Sequence, residues 1–432
     1  MEKYIIIPGC SDLNRGDQAL VWETKRLAEE AGYIGEYYLT CEKNEPVTQS
    51  QNKGIKVISP VLEHPSRMFK NKENIKYTKT LKLKWGLVAI FDLIFSLFLL
   101  FKPTRNLMKL IVTETKRNSI DIFEMSRAVF MKGGGILQTY GGFSSTYSMY
   151  FFVYPILLAK QMKKSVYIMP NSFGPFKGPF VNKIVKMALS HCEVIVSRES
   201  ISQKMIEKEL NIKTEICPDL AFVLEEKKLD KENIFKKYNL PRDKKLVGIT
   251  MRPYRFPNVV NPEKAYQKYQ TEMSIFIKWL YENEYMPVLV EHTLAINTHE
   301  NDGECIKQVI AKLDSSMYRV ISEKTYDCQD LKFIYGLFSY IVGTRFHSII
   351  FSFGNKIPGI AISYVGNKSF GIMKDIGLED FVIDIKDVNS KQLIKKFEYL
   401  VSNKNKVKEM ISNYCELAYI KRGELIEKCR KI

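Results

Sequence analysis

Short apolar runs recur along the chain, each followed by a polar turn and then by residues at helical spacing. The first run covers residues 4–7; behind it Leu20, Thr24, Leu27, Ala28 and Ala31 fall on one helical face, and Gly32 supplies a stop. Further strands are predicted at 37–40, 55–59, 128–131, 165–169 and 194–197, with helices around 146–163, 179–190 and 199–210. The alternation restarts at 246–250 and continues through 288–291, 319–322, 340–342 and 357–363. Two successive series of buried strands and helices predict an α/β chain of two Rossmann-like, doubly wound domains facing a cleft. The domains are expected at 1–235 and 245–385, joined through the charged stretch 225–245. Residues 386–432 read as helices that pack back across the cleft.

One segment breaks the alternation. Residues 85–101 are almost wholly apolar, while Gly86, Ala89, Asp92 and Ser96 recur at helical spacing on one face. The segment sits in a basic insertion of about 65–118, with Lys70, Lys72, Lys76, Lys79, Lys82 and Lys84 before it and Lys102, Arg105, Lys109, Lys116 and Arg117 after it. Seventeen residues is near the lower limit for a membrane span, and a central Asp costs about 2.5–3.5 kcal/mol there. A spanning helix would also carry its positive charge on one side. Two basic flanks suit a helix lying in the plane of an anionic membrane surface. Burial in the protein's own core and contact within a homo-oligomer are the other two readings.

The composition, 45% hydrophobic and 26% charged over 432 residues, is that of a globular protein. The eight cysteines are scattered without metal-ligand spacing, so no structural metal is expected. The first residues lack a signal-peptide pattern, which leads to the expectation of a reducing, cytoplasmic setting at the inner face of the membrane. The net charge of +17 calls for an anionic partner. No nucleic-acid-binding signature accompanies it, so nucleic acid is not the expected one.

Candidate chemistry gathers where predicted strands end. Asn14-Arg15-Gly16-Asp17 lies between the first strand and the first helix, where Asp17 either caps the helix or contacts a substrate hydroxyl. Gly133-Gly134-Gly135 follows the 128–131 strand, either exposing amides to an anion or making a tight strand-to-helix turn. Pro170-Asn171-Ser172-Phe173-Gly174-Pro175 ends the next strand as a polar edge or a rigid loop. Arg198, in Ser197-Arg198-Glu199-Ser200, can clamp an anion with two parallel hydrogen bonds or pair with Glu199, and Arg252 takes the same position in the second domain. In Gly343-Thr344-Arg345-Phe346-His347-Ser348, a fixed charge, a helix N-terminus and a titratable imidazole converge.

Taken in order, these segments, together with Cys217-Pro218-Asp219 and the run from Pro358 to Tyr364 with Lys368, resemble the polysaccharide pyruvyl transferase family over about residues 4–385. The resemblance implies a fold similar to the GT-B glycosyltransferases, with an acceptor-side first domain and a donor-side second domain. It implies phosphoenolpyruvate as co-substrate and a sugar hydroxyl pair on a glycan or lipid-linked oligosaccharide as acceptor. The product is then a pyruvate ketal, formed without a metal or cofactor. Arg198, Arg345, Phe346, His347 and Arg252 become the expected donor contacts, with His347 as general acid because an imidazole titrates near neutrality. Asp17 is expected to orient or deprotonate the acceptor, and Asn14, Gly16, Gly133, Gly134, Gly135, Asn171 and Ser172 to line its side. The chain departs from some relatives in having no His between Asn171 and Phe173, and the family does not require the 85–101 segment. Two rivals use the same layout: a GT-B glycosyltransferase taking a nucleotide sugar, and a non-catalytic, membrane-bound scaffold for glycan assembly.

Overall fold

The computed structural model describes residues 1–42, 45–65, 79–257, 259–294, 300–364 and 366–431. Lys70, Lys72 and Lys76 of the basic flank lie outside them. The first sheet comprises β1 (Lys3–Ile7), β2 (Glu36–Thr40), β3 (Ile55–Ile58), β4 (Ala128–Met131), β5 (Gly134–Tyr140), β6 (Ser165–Lys177), β7 (Val194–Ser197) and β8 (Glu215–Ile216). Its order is β3-β2-β1-β4-β6-β7-β8, with β5 paired to the far half of β6. The second sheet contains β9 (Lys245–Thr250), β10 (Tyr285–Val290), β11 (Arg319–Ile321), β12 (Tyr340–Gly343), β13 (Gly359–Ser363) and β14 (Val382–Asp384), in the order β11-β10-β9-β12-β13-β14. Every named strand pairing is parallel. In both sheets the order reverses beside the first strand, so a crevice opens beyond the carboxyl ends of β1/β4 and of β9/β12.

Alternation along the strands divides the core. Tyr4 and Ile6 face a core continuous with that of the second domain, whereas Ile5 and Ile7 face a separate one beneath the Phe143–Gln161 helix. The Lys404–Cys429 helix joins the halves: Ile411 and Cys429 are buried, and Arg422 pairs with Glu30 at 2.7 Å on the Arg15–Glu30 helix.

Three local expectations change. The glycine triplet makes no strand-to-helix turn, because the chain stays extended from Gly134 as β5 and pairs Gly134 with Asn171. Glycine permits this close crossing, since a Cβ on Gly133 would stand 2.9 Å from the Pro170 carbonyl oxygen. The Pro170–Pro175 segment is not a loop but the middle of β6, its backbone held between β5 and β7. Within the charged stretch expected to be a linker, the Lys231–Lys237 helix forms and Ile234 packs into the main core.

Candidate active site

The two carboxyl edges enclose about 1340 Å³ of open space, lined from the first domain by Asn14, Asp17, Gly134, Gly135, Ser172 and Arg198. Arg252, Arg345, Phe346 and His347 line it from the second. The remaining predicted residues stand behind this wall. Gly16 packs under His347, whose Nδ1 would lie 2.0 Å from any Cβ there, so glycine is needed for the imidazole to cross onto the first helix. Asn171 is buried and donates to the carbonyls of Lys132 and Met169. Gly133 packs against Leu20 and the Pro170 carbonyl.

Asn14, not Asp17, caps the first helix: its Oδ1 accepts from the Asp17 amide at 3.3 Å. The Asp17 carboxylate is thereby free for other partners, receiving Asn14 Nδ2 at 2.7 Å and Lys132 Nζ at 2.6 Å. Burial alone would raise its pKa, but Lys132 reverses the effect and holds it below the usual range.

At the closed end, Asp219 accepts from Arg198 Nη1 at 2.9 Å, with His347 Nε2 at 3.7 Å and Lys368 Nζ at 3.9 Å. Burial opposes ionisation of Asp219, yet His347, Lys368 and Arg198 together keep its pKa well below that of an ordinary carboxylate. Lys368 Nζ stands 2.8 Å from His347 Nε2. Burial, then Arg198, lowers the ammonium to about 7, while burial and Lys368 push the imidazole down to about 4. The expectation that His347 titrates near neutrality is therefore corrected: Lys368 holds that position, and His347 is a neutral imidazole within hydrogen-bond reach of it.

Arg345 lines the cavity while it is anchored by carboxylates of its own domain. Its Nε and Nη2 both reach Asp302 Oδ1, at 2.9 and 2.7 Å, and its Nη1 meets Glu300 at 2.5 Å. These carboxylates outweigh burial and raise its pKa further, so the guanidinium is held charged and fixed in the cleft wall by three of its five N–H groups. Arg252 shares Glu300 at 3.0 Å and lies 4.3 Å above the Tyr364 ring. Arg198 differs: its Nε donates to Ser172 Oγ at 2.7 Å, but its buried Nη2 has no partner. His292 Nε2 and Thr293 Oγ1, also on the cleft wall, are buried and unpartnered. Buried polar atoms without partners are rare, and three around one cavity mark it as a place for a polar ligand. Among the described residues, no group of three or more His, Cys, Asp or Glu side chains could hold a metal ion.

Sequence reading left Lys132, Asp219 and Lys368 out of the site. Lys132 directly precedes the glycine triplet, Asp219 closes the Cys-Pro-Asp motif, and Lys368 follows the end of β13. Their positions at strand edges were the available signal.

The sequence model of polysaccharide pyruvyl transferases matches residues 14–367, a span that carries both edges of the cleft. The chain belongs to that family. Among curated proteins, the amylovoran biosynthesis protein AmsJ of Erwinia amylovora is 26% identical over 314 residues, covering 71% of this chain and 73% of its own. Among solved structures, a putative UDP-N-acetylglucosamine 2-epimerase from Listeria monocytogenes aligns with a TM-score of 0.58 at 11% identity, covering 98% of this chain and 94% of its own. Medicago truncatula UGT71G1, complexed with UDP-glucose, aligns at 0.54 with 12% identity, covering 100% and 98%. These likenesses are of fold alone: this pyruvyl transferase family member has a GT-B-like fold. As a member of the family it is a transferase of polysaccharide biosynthesis.

Proposed function

We propose that the enzyme moves the pyruvyl group of phosphoenolpyruvate onto two hydroxyls of a surface polysaccharide or lipid-linked oligosaccharide precursor, forming a pyruvate ketal. The division of charge in the cleft carries this reading. Arg345, Arg252 and Lys132 are each engaged by carboxylates; Arg198 also pairs with Asp219 but keeps its buried Nη2 open, and Lys368 is poised to take up a proton. A donor bearing phosphate and carboxylate needs two such cations, and a planar fork beside a compact ammonium supplies them.

On this reading the bound anion draws a proton onto Lys368, and the Lys368–His347 pair delivers it to the methylene carbon, which becomes a methyl group. The first sugar hydroxyl attacks the resulting oxocarbenium-like carbon and gives its proton to Asp17. The bond from that carbon to the phosphate oxygen then breaks, the second hydroxyl closes the ketal, and its proton leaves with phosphate. No step calls on a cofactor.

Phosphoenolpyruvate is expected to raise the thermal midpoint of the protein, by about 2.7 kcal/mol of stabilisation at a hundredfold excess over its dissociation constant. It should also release phosphate when a suitable lipid-linked glycan is present. Protection by a nucleotide sugar and none by phosphoenolpyruvate would replace this reading with a glycosyltransferase.

A further inference from the structure

The Lys79–Leu100 helix lies against the protein by its polar side. Tyr147 donates to Asp92 at 3.1 Å, Tyr150 shares a hydrogen bond with Ser96 at 2.7 Å, and Tyr154 donates to the Ser96 carbonyl at 3.1 Å. All three tyrosines belong to the Phe143–Gln161 helix, so the apolar side is left facing outward. Leu87, Phe91, Ile94 and Phe98 are exposed, Phe91 by 72%. The next helix, Lys102–Ile111, adds Leu110 and Ile111 at 73% and 70%. By length and composition Leu83–Leu100 could cross a membrane.

We infer that this outward face is a docking surface for an anionic lipid bilayer and lies in the plane of its headgroups. Two observations select that occupant. First, residues 79–117 contain eight Lys and Arg but only two acidic residues; Arg105 and Lys109 are taken up by Glu124 and Asp121, and the others still bracket the apolar stretch at both ends. Exposed Lys84 stands directly before that stretch and exposed Lys102 directly after it. A two-fold pairing of this face with a second copy, parallel or antiparallel, sets basic ends against basic ends, whereas anionic headgroups meet both. Second, a crossing helix would have to abandon its three tyrosine contacts or draw the Phe143–Gln161 helix into lipid with it. That helix is already packed on β5, β6 and the Val181–Leu189 helix. A helix tied down along its polar side lies on the surface.

The surface also has a direct connection to the cleft. The Phe143–Gln161 helix follows β5, whose first residues, Gly134 and Gly135, line the cavity. On the proposed reading of the function, docking therefore brings the cleft to the membrane in which a lipid-linked acceptor resides.

Vesicle cosedimentation of the full chain tests the inference. Wild-type protein should pellet with vesicles of phosphatidylglycerol and phosphatidylcholine, weakly with phosphatidylcholine alone, and less in about 1 M salt, where the Debye length is about 3 Å. Leu87→Glu/Phe91→Glu/Ile94→Glu, all at exposed positions, should cut partitioning at least about tenfold with an unchanged thermal midpoint. Lys84→Glu/Lys102→Glu should cut it about tenfold on anionic vesicles only. Equal pelleting of the triple variant overturns the inference. So does a wild-type dimer in lipid-free sedimentation equilibrium that the triple variant converts to monomer, or resistance of the wild type to alkaline extraction from membranes. None of these readouts depends on which donor the enzyme uses.

Discussion

Lys368 is a cation that the fold keeps partly discharged. Burial and Arg198 lower its pKa to about 7, whereas the unfolded chain restores the ordinary value of 10.5. Between these values the unfolded chain binds more protons, so Lys368 makes stability rise with pH across that window and weighs against folding below it. Lys368→Met should therefore leave the thermal midpoint at pH 7 unchanged or higher, while phosphate release falls by about a hundredfold or more. In the wild type, kcat/KM should fall as pH rises through about 7, because the protonated ammonium is the competent form. The limb for kcat should lie higher, since bound donor favours that form. A profile that keeps its alkaline limb in Lys368→Met would assign the proton to another group. Little of this residue-level detail was legible in the sequence. The imidazole of His347 was visible as a candidate, but its proton affinity is lowered by burial and by an ammonium 21 positions away, brought to 2.8 Å only by the packing of one helix N-terminus against another.

Among the elements, the apolar runs of β1, β4, β9 and β12 were legible because both their faces are buried and their sequences show it. β5 and the second half of β6 were not, since Gly, Pro and Asn there ordinarily signal turns. Their extended course comes from pairing with each other across the sheet, which no local pattern announces. The return of the C-terminal helices across the cleft was expected, but the residues by which they meet the first helix were hidden. Glu23, on that helix, is buried between Arg26 and the distant Arg422, at 2.6 and 3.9 Å. Burial outweighs these cations and raises its pKa to about 7 from 4.5. The folded chain thus retains a proton that the unfolded chain releases between those values, and stability falls as pH rises through the window. Glu23→Gln should remove that fall: calorimetric midpoints at pH 5 and pH 8 should differ less than in the wild type. An unchanged difference would place the pH dependence elsewhere.

The whole molecule closes its cleft with bonds from one domain to the other. Glu199 begins the Ser200–Leu210 helix but makes no side-chain cap, its carboxylate being taken by Ser172 and Ser202. Asp375 of the second domain caps that helix instead, accepting from the Ser200 amide at 2.8 Å and from its hydroxyl at 2.5 Å. Asn367 reaches the Phe173 carbonyl at 3.2 Å, and the Leu294 amide donates to the Leu13 carbonyl at 2.9 Å. Asp375→Ala should cost about 1 kcal/mol as a lost cap. It should raise KM for the donor several-fold with kcat within about twofold, as expected of a change to closure rather than to the reacting groups. An equal fall in kcat would place Asp375 nearer the chemistry. The two-domain plan was readable from the repeated strand series, but the convergence of Asp17, Arg198 and Asp219 with His347 and Lys368 depends on this closure and leaves no trace in either half alone.

The return of the Lys404–Cys429 helix onto the Arg15–Glu30 helix has a consequence in time. At about 5–20 residues per second on the ribosome, the first helix emerges roughly 20–75 s before the segment that covers it. During that interval the surface around Glu23 and Glu30 waits without its final neighbour, so the first domain has to stay soluble while unfinished.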